Sequence, residues 1–277
     1  MRKLERFAVE RPVWFGVVVI VVWSVLSALT YPLHFLFPDT DVGLRYGDAA
    51  SKAAISVVIV LLLWRLGWLG RAGVGRSVSR REWLLISVLG VYLIATALFA
   101  FTGNFAPAVA SSPPAIAEFV VTLPGALMEE LLFRGLILIA MLIAWGRTPR
   151  GVAKSVVVSS LMFGATHMIN VLVRPAGIVL FQALVVSLPG IVYGALLLKT
   201  RSLWPAILIH WLTNAAVNVK VVALADWQET PSMWLWHALF LIPTTVYAVY
   251  LLSTMPVGEP DEDGEDVQVT RMAGAVG

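Results

Sequence analysis

The sequence predicts an all-α fold, a polytopic membrane bundle of about eight transmembrane helices. Three observations carry that expectation. Of 277 residues, 59% are hydrophobic and only 13% are charged, whereas a soluble domain carries about 25% charged residues. Eight apolar segments reach spanning length, about 17–25 residues. The basic residues, moreover, fall into alternate connecting segments.

The segments are approximately 13–31, 53–70, 83–101, 118–145, 152–173, 176–198, 203–222 and 233–253. Arg2, Lys3, Arg6 and Arg11 precede the first. Its apolar run is longer than the roughly 7–15 residues of a cleavable signal sequence, so it reads as a retained span. The fourth segment is long, and Pro124-Gly125 is expected to break or tilt its start. Pro189-Gly190 marks a kink in the sixth, and Pro205 suits the first turn of the seventh. Residues 1–257 read as a single transmembrane helical domain. The acidic, Gly- and Pro-containing stretch 258–266 opens a disordered cytoplasmic tail, 258–277.

With the N-terminus inside, fifteen basic residues lie on the cytoplasmic side and four (Arg45, Lys52, Arg174, Lys220) outside. This bias places both termini in the cytoplasm of a multi-pass cell-membrane protein. Trp14, Trp64, Trp68, Trp83, Trp145, Trp204, Trp227 and Trp234 lie near segment ends, as interfacial belts require. The expected partners are membrane lipids and a peptide or membrane-protein substrate. The loop-grouped basic residues are topology signals and not a nucleic-acid surface. With no cysteine, disulfides and thiol chemistry are excluded.

Three charges interrupt the fourth segment, in Met128-Glu129-Glu130-Leu131-Leu132-Phe133-Arg134-Gly135. An Asp, Lys or Arg at a bilayer centre costs about 2.5–3.5 kcal/mol, so partners or a wet cavity are required. Glu130 and Arg134, four apart, share a helix face and can pair. Glu129 is left without a partner in its own helix and is the functional candidate. The fifth segment carries Phe163 and His167, one turn apart. The seventh carries His210 and Asn214, again on one face. Their approximate depths allow Glu129, the two imidazoles and Asn214 to meet in one polar pocket. His34 and His237, near segment ends, read as hydrated, and Gln182 and Asn218 as interhelical contacts.

Such a set suits activation of water. A desolvated carboxylate serves as general base, with a neighbouring imidazole to orient water or share the proton. A second imidazole and a carboxamide can donate to an oxyanion. Hydrolysis of an amide fits. A metal version uses Glu129, His167 and His210 as zinc ligands, although no His-Glu-x-x-His helix occurs. The cofactor expectation is therefore none or zinc, with the metal-free route ahead.

The motifs Glu129-Glu130-x-x-x-Arg134, Phe163-x-x-x-His167 and His210-x-x-x-Asn214 resemble those of the CPBP intramembrane proteases. That family includes type II CAAX prenyl endopeptidases and bacteriocin-processing or self-immunity proteins. The resemblance covers approximately 118–220, on helices four, five and seven, and includes the entry Arg201 to His210. It implies a peptide hydrolase acting on a membrane-associated substrate, including prenylated C-termini, under the provisional label of metalloprotease. Glu129 and His167 would activate water, and His210 and Asn214 would hold the oxyanion. Glu130, Arg134 and Phe163 would support them. The rival readings are a proton-coupled transporter or channel and a non-catalytic immunity protein of the same fold.

Overall fold

The computed structural model describes residues 3–102, 113–223 and 230–253. Every regular element among them is a helix: α1 (Lys3–Glu10), α2 (Pro12–Thr30), α3 (Asp41–Leu66), α4 (Arg80–Thr102), α5 (Pro113–Glu130), α6 (Ile139–Trp145), α7 (Pro149–Thr166), α8 (Ala176–Thr200), α9 (Trp204–Ala223) and α10 (Pro231–Ser253).

Local chemistry sets several starts. Thr40 accepts the Gly43 N–H at 3.0 Å, and Thr148 accepts the Gly151 N–H at 3.0 Å, each satisfying a donor that a helix N-terminus leaves open. Proline opens α2, where its missing N–H costs nothing. At the start of α4, Ser79 and Glu82 exchange side-chain-to-backbone bonds, a capping box.

Five helices are long and apolar enough to cross a membrane: Pro12–Leu36, Val42–Leu66, Pro149–Leu172, Ala176–Thr200 and Pro231–Ser253. Each presents large apolar side chains outward, among them Val21, Leu61, Leu161, Leu180 and Val246. Such a surface is a liability in water and natural in lipid. The other three expected segments are helical too, occupied by α4, by α5 with α6, and by α9.

Residues 131–138 join α5 to α6 as a π-helix, and all eight are buried. Helix α5 packs on α3 and α9, while α8 packs on α7 and α10. Leu131, Leu132, Phe133, Leu136 and Ile137 thus sit at the centre of the core, apolar on every side as a wholly enclosed helix must be.

Some expectations are corrected here. Helix α5 continues through Pro124, so the chain is not broken there, and α8 continues through Pro189; an irregular pitch that was not expected falls on 131–138. Trp68 (0% exposed) and Trp234 (5%) are packed inside the protein and do not belong to an interfacial belt. His237 is buried beside Trp234. Gln182 does make an interhelical contact, accepting from Asn170 at 3.1 Å. The side chains of Asn218 and Lys220, Trp227, and the 258–277 tail lie outside the described residues.

Candidate active site

The site is built on the α5–π junction. In a π-helix each backbone bond spans one residue more than in an α-helix, and such stretches recur at functional sites. Here the junction carries Glu129 and Glu130 at the last turn of α5 and Arg134 in the π stretch.

The predicted pairing is present. Arg134 Nη1 donates to Glu130 Oε1 at 3.0 Å, and both side chains are 0% exposed. The same oxygen faces His210 Nδ1 at 2.7 Å. A carboxylate paired with arginine can only accept, so Nδ1 carries the hydrogen. The other ring nitrogen, Nε2, lies 3.5 Å from Glu129 Oε2. His210 therefore bridges the two neighbouring glutamates. They differ sharply in exposure, 22% for the Glu129 side chain against 0% for Glu130.

The Arg134 guanidinium lies over two aromatic rings. Its central carbon lies 4.7 Å from the Phe163 ring centre and 5.3 Å from that of Tyr193. Desolvated cation–π contacts are worth about 2 kcal/mol or more. Gly190 leaves the room: a Cβ there would stand 3.1 Å from Arg134 Nη2 and 3.0 Å from Ser160 Cβ. Tyr193 also stacks on His210, with ring centres 5.2 Å apart and planes inclined by 19°. Trp211 Nε1 donates to Phe119 O at 2.7 Å and ties α9 to α5 beside the histidine.

His167 opens the 3₁₀ turn His167–Leu172 that continues α7. Its Nδ1 lies 3.1 Å from Phe163 O. A carbonyl accepts, so this nitrogen donates and Nε2 keeps its lone pair in the neutral ring. The Phe163 ring lies 5.1 Å from the His167 ring and 5.8 Å from the His210 ring, edge-on to both imidazoles. Asn214 is half-buried on α9, one turn beyond His210.

Glu129, Glu130, Arg134 and His210 are thus brought into one connected cluster. Phe163 touches both imidazoles and the guanidinium, and Asn214 follows by position on its helix. Sequence reasoning missed Tyr193, although a phenol in the middle of an apolar segment was the available signal, since its hydroxyl needs a polar neighbourhood. It also missed the role of His210 as a bridge. Glu129, His167 and His210 do not come together as a metal site: among the described residues no group of three His, Asp or Glu is disposed to hold an ion. The metalloprotease label is therefore not supported.

The fold and the cluster define the class, a multi-pass helical membrane protein with a buried, cross-linked Glu/Arg/His centre. Residues 111–216 match the family model described as type II CAAX prenyl endopeptidase Rce1-like. That match supports the CPBP/CAAX protease family, and it covers every motif residue from Glu129 to Asn214. No curated protein and no solved structure matches the chain.

Proposed function

We propose that this protein is an intramembrane endopeptidase that hydrolyses a peptide bond of a membrane-associated substrate. One observation carries the reading. Of two adjacent carboxylates, Glu130 is sealed and doubly engaged through one oxygen, while Glu129 stays partly open, with His210 Nε2 at 3.5 Å. The family match supports the class of reaction.

In this reading Glu129 removes a proton from water, helped by the free Nε2 of His167. The hydroxide adds to the scissile carbonyl carbon, and negative charge forms on its oxygen. Once Glu129 is protonated it no longer competes for a hydrogen on His210 Nε2. With His210 carrying a hydrogen on Nε2 as well as on Nδ1, that N–H and the Asn214 carboxamide then donate to the oxyanion, the geometry most effective in a dry site. Collapse expels the amine, which takes its proton from Glu129. Glu130, bonded to Nδ1, holds the His210 ring in place, and Arg134 holds Glu130.

An apolar cavity of about 220 Å³ lies between α2 and α3, lined by Trp23, Leu26, Ile59, Leu132 and Leu136. Trp23 Nε1 reaches Met128 Sδ at 3.3 Å, next to Glu129 in the chain. This cavity suits the apolar tail of a substrate, a prenylated C-terminus included. All eight expected segments cross the bilayer in this proposal, with both termini cytoplasmic, as the fifteen-to-four basic bias indicates.

The test is cleavage of matched peptides with and without a prenyl group by purified protein, with Glu129→Gln as control. Product formation lost in the variant supports the proposal. Equal activity of variant and parent, or no cleavage of any membrane-associated peptide by a folded parent, overturns it. Reporter fusions after Gly75 and Gly146 should report the inside, and those after Gly103 and Asp226 the outside.

A further inference from the structure

Away from the glutamates, α4, α8 and α10 enclose a groove of about 480 Å³, within the roughly 300–1,000 Å³ of ligand sites. Its wall is apolar, with Ile86, Leu89 and Tyr92 from α4, Leu196 from α8, and Tyr247 and Leu251 from α10. Tyr92 Oη donates to Phe240 O at 2.9 Å and pins α4 to α10, so the groove is part of the packed fold.

One end of the groove is charged. Lys199 lies there with Glu82, where α8 ends and α4 begins. Lys199 is exposed, and Glu82 across the mouth is the carboxylate it acts on. The Glu82 carboxylate is occupied by the Ser79 N–H at 2.9 Å, and both Arg76 and Lys199 act on it. Arg80 and Arg81 flank Glu82 in the chain. The mouth is therefore basic on balance, with two cations, Arg76 and Lys199, acting on its one carboxylate.

Length selects the occupant. From Glu82 to Tyr92 the groove follows ten residues of α4, about 15 Å at 1.5 Å per residue. That is half of the roughly 30 Å hydrocarbon core, the depth of one leaflet. A soluble anion would leave the apolar wall bare. A zwitterionic lipid would fill the wall but bring no net charge to the mouth.

We propose that this groove is a binding site for one anionic phospholipid, its phosphate on Lys199 and an acyl chain along Ile86, Leu89, Tyr92 and Tyr247. The full chain in detergent would be equilibrated with phosphatidylglycerol or phosphatidylcholine of identical acyl chains, and retained lipid counted by native mass spectrometry. The parent should prefer phosphatidylglycerol by about fivefold, the worth of one lysine at an anionic lipid surface. Lys199→Glu should abolish the preference without changing the melting temperature, and Lys199→Gln serves if that variant is not monodisperse. Leu89→Trp, which fills the wall, should lower retention of both lipids. Equal retention of the two lipids by the parent overturns the proposal. So does a preference that survives both lysine substitutions, or displacement of the lipid by inorganic phosphate alone.

Discussion

Glu129 and Glu130 are neighbours in sequence and opposites in surroundings. The region around Glu130 is dry and cross-bonded: one carboxylate oxygen meets both Arg134 and His210, and aromatic rings cover the guanidinium. Glu129, His167 and Asn214, by contrast, are each only partly buried. Burial with cross-bonding through one shared oxygen holds a geometry. Partial exposure with spare hydrogen-bonding capacity leaves a group able to act on something that arrives. In the proposed reading this contrast gives support to one side and chemistry to the other, and substitutions can break that division.

The largest effect is expected at Glu129. Glu129→Gln removes the base but keeps the shape, and general-base catalysis contributes about 10²–10⁴ in rate. Cleavage should fall by that order while the melting temperature in detergent stays within error. Glu130→Gln should do the reverse. It strands Arg134 in a dry site, and breaking a buried pair costs about 3–5 kcal/mol. Low yield and a lowered melting temperature are expected. A stable, inactive Glu130→Gln beside an active Glu129→Gln would invert the assignment of base and support.

Asn214→Ala should lower kcat by about 10²–10³ with KM nearly unchanged, the signature of a lost oxyanion donor. A rise in KM at constant kcat would make Asn214 a substrate-binding group instead. Tyr193→Phe should keep the stack on His210 and retain most activity, whereas Tyr193→Leu should lose both kcat and thermal stability. Equal losses in the two variants would show that the hydroxyl matters and the ring stack does not. The smallest effect lies far from the site. Ser79→Ala removes a helix cap worth about 1 kcal/mol and should lower stability slightly while leaving kcat unchanged. The Ser79 hydroxyl and N–H also hold the Glu82 carboxyl below its usual range. A depressed folded-state pKa contributes stability at neutral pH that is lost as pH falls through it. The melting temperature of the parent should therefore decline more on acidification than that of Glu82→Gln.

Much of this molecule was legible in the chain itself. Composition and segment length settled the helical membrane class, because backbone groups in lipid must be satisfied within each helix. The four-residue spacing of Glu130 and Arg134 foretold their pair, since neighbours on one helix face meet whatever the tertiary fold. The gathering of Glu129 with His210 followed from charge, because groups that costly in lipid must find one another.

Tertiary structure decided what depends on contact between segments. That His210 bridges both glutamates rests on how α9 meets α5, and spacing along either helix does not contain it. Tyr193 enters through the packing of α8, and Gly190 admits the guanidinium only because α8 lies against it. Trp68 and Trp234, placed near segment ends by sequence, are enclosed by neighbouring helices. The π stretch 131–138 escapes a periodicity argument because its residues are apolar on every side, apart from Arg134, and a pattern without a polar face cannot report the pitch that carries it.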